Sequence, residues 1–149
     1  MKLRLMLSAA VIGSLVALGA LHAADKAPGD VKCPVSGQKA KAASFVEHND
    51  GKVYFCCNNC PKAFNANPSK YNAKANHQMA ETGQFVQVAC PISGGKTKPE
   101  TAIDVQGVSV AFCCPNCKAK VEKAQGDEQL ELVFGEKAKG FKAASTEAK

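Results

Sequence analysis

The feature that most constrains this chain is the spacing of its eight cysteines. The stretch "VYFCCNNCPKAF", Val53 to Phe64, places three of them within five positions, and "VAFCCPNCKAKV", Val110 to Val121, repeats the pattern. Upstream, "CPVSGQK" (Cys33 to Lys39) aligns with "CPISGGK" (Cys90 to Lys96) at the same offset of 57. Cys33 is followed by 22 residues before Cys56, and Cys90 by 22 before Cys113, after which each copy reads Cys-Cys-x-x-Cys. Unrelated clusters do not share such a spacing, so the chain is an internal duplication. Its unit is a lone cysteine at a turn, a connecting region, and a cysteine cluster at a helix start.

Duplication within 149 residues leaves units of only some forty residues. At that size a hydrophobic core is usually insufficient by itself, and metals or disulfides supply the rest. The composition agrees, because there is no Trp, two Tyr and seven Phe. Much of the 46% apolar content is Ala and the N-terminal leader.

That leader, residues 1–23, opens with Lys2 and Arg4, runs apolar from Leu5 to Leu21 and ends in small residues, the layout of a secretory signal peptide cleaved after Ala23. Leu21 is an unusual residue three positions before the cut, and an uncleaved anchor is the alternative. The first cysteine, Cys33, lacks the small-residue setting of a lipid-attachment site. An exported protein, placed in the periplasm and free of the membrane once the signal is removed, is the reading adopted. Removal takes Lys2 and Arg4 and no acidic residue, so the formal +6 becomes +4. The lysines lie scattered among Ala and Glu without interleaved aromatics, which argues against nucleic acid as a partner.

The coarse secondary structure is α+β. "CPVSG" and "CPISG" suit a tight knuckle. Ala43 to Phe55 reads as a hairpin around Asn49-Asp50-Gly51, and Thr101 to Phe112 as another around Gly107. Pro61 to Thr82 reads as helix, interrupted or restarted at Asn67-Pro68, and Pro115 to Ala124 as a shorter helix. "LELVF", Leu130 to Phe134, reads as one more strand. The predicted organisation is a first unit over 31–72, a helical linker over 73–87, a second unit over 88–135 and a flexible tail over 136–149. Phe55, Phe64 and Phe112 are the predicted aromatic core.

The chemistry follows from the thiols. Cys56 and Cys60 stand four apart, so at a helix N-terminus their sulfurs can share a face, and the helix dipole favours thiolates there. Cys33, returned across the hairpin by its knuckle, supplies a third sulfur; Cys90, Cys113 and Cys117 form the parallel set. Three thiolates suit zinc or a soft ion such as copper(I). Ser36, Ser93, water or an extra cysteine is left to complete each set. His48 and His77 have no histidine counterpart in the second unit and read as surface residues rather than ligands. The remaining Cys57 and Cys114 are accessory thiols, and each opens a C-x-x-C pair that can also close as a disulfide or act as a redox dithiol. No His follows either pair, which argues against covalent haem.

At these residues the chain resembles a known family. "CPVSG", an aromatic strand, "YFCCNNCPKAF" and "NPSKY" look like the YHS domain and the related TRASH domain, so the whole resembles a tandem YHS/TRASH-like metal-binding protein. The second copy is divergent, with Val121 in place of Phe64 and no Asn-Pro-x-x-Tyr ending. Many YHS domains also read Asp-Pro-Val-Cys-Gly where this chain has Cys-Pro-Val-Ser-Gly. The resemblance implies two tandem treble-clef-like zinc-finger units (knuckle, β-hairpin, helix), joined here by the helical linker. It also implies metal ligation by Cys33, Cys56 and Cys60 and by Cys90, Cys113 and Cys117, up to two zinc or copper ions per chain, and a role in metal trafficking, buffering or resistance. The partners implied are metal ions and a metal-transport or cell-envelope protein. The alternative is a structural or protein-interaction module stapled by zinc or disulfides. No Ser-His-Asp set or phosphate loop stands in the chain, so it is not read as an enzyme.

Overall fold

The computed structural model describes residues 28–144; the segment read as a signal peptide lies outside the described residues, as does the end of the tail. The element order is β1 (Lys41–His48), β2 (Gly51–Phe55), α1 (Asn59–Ala66), α2 (Pro68–Glu81), β3 (Phe85–Gln87), β4 (Lys98–Val105), β5 (Val108–Phe112), α3 (Pro115–Lys123), α4 (Gly126–Phe134) and β6 (Phe141–Ala143). The result is a small α+β protein in which the described residues form three antiparallel pairs, β1 with β2, β4 with β5, and β3 with β6. Among the described residues no helix is long and apolar enough to cross a membrane.

The duplication is visible in the backbone. Each unit begins with a knuckle in which the cysteine N–H bonds a carbonyl five residues on: Cys33 to Gln38 and Cys90 to Gly95. Gly37 and Gly94 turn the chain with φ of 72° and 75°, a conformation that costs glycine nothing and an L side chain much more. The hairpins that follow share one register. Val46 faces Val53 and His48 faces Gly51 in the first; Ile103 faces Val110 and Val105 faces Val108 in the second. Each register slips near the strand start, and in the second hairpin the buried Thr101 hydroxyl fills the gap, accepting the Phe112 N–H at 2.8 Å. The left-handed turn residues of the first hairpin are Asn49 and Asp50, with Gly51 already in β2. The second turns on Gln106 and Gly107.

The break predicted at Asn67-Pro68 is present. Pro68 occupies the first turn of α2, where its missing N–H costs no bond, and the Asn67 side chain accepts the Lys70 N–H at 3.4 Å. Phe64 on α1 is buried against the hairpin, its ring centroid 5.5 Å from that of Phe55, and Phe55 and Phe112 are fully buried.

The readings of Leu130 to Phe134 and of the two histidines need correction. Leu130 to Phe134 is not a strand but the second half of α4, and its buried residues, Leu130, Val133 and Phe134, follow helical i, i+3, i+4 spacing. They pack against Val121, which stands where the first unit has Phe64, so α4 supplies bulk that the shorter side chain does not. His77 is not a surface residue: it is buried, with Nε2 3.3 Å from the Val105 carbonyl, its ring edge-on to Phe134, and Glu81 one turn along the helix. His48 is half-buried and bonds Asn72 through Nε2 at 2.9 Å.

The stretch read as a helical linker, 73–87, consists of the remainder of α2 followed by β3. It serves both units at once. Ala75 and Met79 lie in the first core with Cys33, Val53, Phe55, Cys60 and Phe64, while Ala73 lies in the second with Cys90, Val110, Phe112 and Phe134. α2 packs along α4, and the Asn76 side chain donates to the Phe134 carbonyl at 2.8 Å. Within the predicted tail, residues 141–143 form β6 and pair with β3. Each unit therefore contributes a second helix and a short strand to a common interface.

Candidate metal centre

Each cysteine trio is assembled by three successive devices: a knuckle, the end of a hairpin, and the first turn of a helix. Cys33 enters from the knuckle, Cys56 follows β2 directly, and Cys60 is the second residue of α1. The corresponding positions are Cys90, Cys113 after β5, and Cys117 in the first turn of α3. The ligating atoms of Cys33, Cys56 and Cys60 all lie within 4.8 Å of one another, and so do those of Cys90, Cys113 and Cys117. All eight sulfurs are free thiols.

One step of the spacing argument is replaced by the structure. Cys56 is not on the helix face with Cys60, because α1 begins only at Asn59 and Cys56 sits in the bend before it. The two sulfurs still meet, at 3.6 Å, because the bend folds the hairpin end over the first turn. Cys113 and Cys117 meet at 3.7 Å across the same kind of bend. Neither α1 nor α3 has an acidic residue in its first turn, so the thiols occupy the place where a helix favours negative charge.

The trios fit a metal on metric grounds. Two sulfurs each ~2.3 Å from one tetrahedral ion stand ~3.8 Å apart, close to the contacts of 3.6 and 3.7 Å found here. Such donors would hold zinc or a soft monovalent ion, which would supply the charge that joins the three thiolates. The proton affinities point the same way. Burial acts to raise the Cys90 thiol, yet hydrogen bonds from the Ser93 hydroxyl and from the backbone of Ser93, Cys113 and Ile92 outweigh it and hold the group at about 6. Cys33 is lowered in the same manner, burial being overcome by Ser36, Cys56 and Val35. Cys117 is pushed up to about 12 by burial and by the sulfurs of Cys113, Cys114 and Cys90. Cys60 is raised by burial and by Cys57, Cys56 and Cys33. Three converging thiols do not all ionise unaided; a cation among them removes the conflict.

Ser36 and Ser93 take the turn role. Ser36 Oγ accepts the Gln38 N–H at 3.3 Å and lies 3.1 Å from the Cys56 sulfur; Ser93 Oγ accepts the Gly95 N–H at 3.2 Å and lies 3.1 Å from that of Cys113. With a lone pair engaged by its own turn, each hydroxyl has one proton to give, either to the knuckle cysteine whose thiol it lowers or to this sulfur. The accessory thiols stand beside the trios. Cys57 is exposed, with its sulfur 3.5 Å from that of Cys60, and the backbone N–H groups of Cys60 and Asn59 lower it to about 7. The Cys114 sulfur lies 3.7 Å from that of Cys113.

Two glutamines that no motif singles out position the cysteines. Gln78 of α2, 1% exposed, donates to the carbonyls of Lys32 and Tyr54 at 2.8 Å each and accepts the Tyr54 N–H at 2.7 Å. It thus ties the residue before Cys33 to the strand that delivers Cys56. In the second unit Gln87 of β3 donates to the carbonyls of Ala89 and Ala111 at 3.0 and 2.6 Å and accepts the Ala111 N–H at 2.9 Å. Ala89 and Ala111 are the duplicates of Lys32 and Tyr54, displaced by 57. The same clamp is therefore made from two unrelated places in the chain, and no repeat in the sequence signals it.

The fold and the two trios define a small α+β protein with paired three-cysteine sites able to hold metal ions. Comparisons with protein-family models, with curated proteins and with solved structures find no match to this chain.

Proposed function

We propose that this is an exported heavy-metal-binding protein that holds zinc or copper, one ion per unit, and serves metal trafficking, buffering or resistance in the periplasm. The observation that carries the reading is the convergence of Cys33, Cys56 and Cys60, and separately of Cys90, Cys113 and Cys117, to within 4.8 Å. Two sites built by duplication of one device are hard to account for as packing, since buried thiols kept for packing need not converge on a point. The order knuckle, hairpin, helix in each unit supports the treble-clef-like reading that the resemblance to YHS and TRASH domains implies. The signal-like leader supports export, and the function is binding rather than catalysis.

The partial exposure of the sites favours handling over mere stapling. Cys56, Cys113 and Cys117 are half-buried and Cys57 is exposed, so an incoming donor can reach the metal position from solvent. A metal-transport or cell-envelope protein with soft donors is the matching partner class. The test is metal analysis of protein purified without added reductant, followed by exchange against a chelator. Bound metal with rapid exchange is the expected result. Full occupancy with slow exchange would instead make the metal a staple for a structural module, and a folded, metal-free protein with no reduced thiols would replace both with a disulfide framework.

A further inference from the structure

Cys60 stands between two sulfurs with different attachments. Cys56, at 3.6 Å, belongs with it to the trio; Cys57, at 3.5 Å, lies outside the trio. Cys57 is exposed and Cys60 buried, so a dissolved reagent meets Cys57 first. The pair spans the start of α1, with Cys57 in the bend and Cys60 in the first turn. Sulfurs in contact at this distance close to a bond of ~2.05 Å by small side-chain rotations.

The second unit is arranged differently. There the Cys114 sulfur contacts that of Cys113, its neighbour in sequence, at 3.7 Å. Consecutive Cα atoms stand ~3.8 Å apart, below the ~4.4–6.8 Å that a disulfide usually spans. That contact is poorly placed to become a bond; Cys114 also interacts with Cys117, so the second unit carries the corresponding pair with its sulfurs placed differently and its outer thiol less exposed than Cys57.

We propose that Cys57 and Cys60 form a thiol–disulfide exchange site that discharges the metal of the first unit when a low-molecular-weight disulfide oxidises the pair. The proposal rests on the metal-binding reading above and gives that site its regulation. The Cys57 thiolate attacks one sulfur of the reagent, forming a mixed disulfide and expelling one thiolate; any thiol proton passes to water. The Cys60 sulfur then attacks the Cys57 sulfur, breaks its own bond to the metal, and expels the second thiolate. The two cysteines lose two electrons and the reagent gains them. The ion keeps its charge and is left with Cys33 and Cys56, two donors where zinc takes four, so it is held less tightly and passes to a competing ligand. Metal and disulfide compete for one sulfur, so bound metal also slows oxidation.

The experiment uses the full chain, reduced, loaded with zinc (or with copper(I) if zinc is not retained), and treated anaerobically with oxidised glutathione. Released metal is followed with a chromophoric chelator, and the disulfide is located by peptide mass mapping. The expected result is release of the first unit's ion, about one per chain, in step with a Cys57–Cys60 bond and ahead of any bond between Cys114 and Cys117. Cys57→Ser should load as the parent does and slow release of the first ion at least about tenfold; Cys114→Ser should release that first ion like the parent. Equal release from Cys57→Ser, a disulfide formed first elsewhere, or a Cys57–Cys60 bond formed with both ions retained would each overturn the proposal while leaving the metal-binding reading intact. A reduced protein that takes up neither zinc nor copper(I) would overturn both, even if the cysteine pair still oxidised.

Discussion

Replacing Gln78 with Met tests whether the first site is held by a clamp remote from it in sequence. Met is close to Gln in volume and flexibility, so the substitution leaves packing nearly unchanged and removes three hydrogen bonds, to Lys32 O, Tyr54 O and Tyr54 N–H. A hydrogen bond contributes roughly 0.5–1.5 kcal/mol net, and a buried group left unpaired costs about 1–3 kcal/mol. Gln78 is 1% exposed, so little water can replace it. The three losses together should cost about 2–4 kcal/mol, with the apolar contacts of the Met side chain returning part of it. The assay is urea unfolding of the metal-loaded protein, coupled to alkylation of each cysteine read by mass spectrometry. A lower midpoint with an unchanged slope, and faster labelling of Cys33 and Cys56 than of Cys90 and Cys113, is the expected outcome. Gln87→Met should reverse that preference. A loss below about 0.5 kcal/mol with Cys33 still protected would refute the clamp, because three buried bonds cannot vanish at so little cost.

Further outcomes follow from the site and its core. Cys60→Ser should abolish metal uptake by the first unit and Cys56→Ser should nearly do so, with Cys117→Ser and Cys113→Ser acting likewise on the second; metal stoichiometry checks this, and a Cys56→Ser protein that still takes up two ions would mean that Cys57 had the ligand role. Phe64→Ala should cost about 3–5 kcal/mol in denaturant unfolding, since the ring is buried against Phe55. In metal-free reduced protein the thiol of Cys57, lowered to about 7, should alkylate first, its rate climbing as pH rises through that value because the thiolate is the reactive form. Rates that climb only near the ordinary thiol range of about 8.5 would contradict the role given to the α1 N–H groups.

The sequence by itself determined the duplication, the cysteine trios, both hairpins and the break before Pro68. All of these are written in local spacing: the equal 22-residue intervals, the Pro and Gly of each knuckle, and the turn residues at Asn49 and Gly107. Local spacing misled where a short apolar run was compatible with two periods. "LELVF" is a short apolar run that a strand could also take, yet Leu130, Val133 and Phe134 match a helical face, and the space beside Val121 selected the helix. The i, i+4 rule brought Cys56 and Cys60 together for a reason the fold does not use, since a bend rather than a helical turn joins them. Only the tertiary structure decided that 73–87 is shared by two cores, that β6 pairs with β3, and that Gln78 and Gln87 perform one task from α2 and β3. It also decided which sulfur each accessory cysteine meets. Each of these outcomes depends on distances between atoms that the backbone path and side-chain packing set, and residue spacing along the chain carries no term for them.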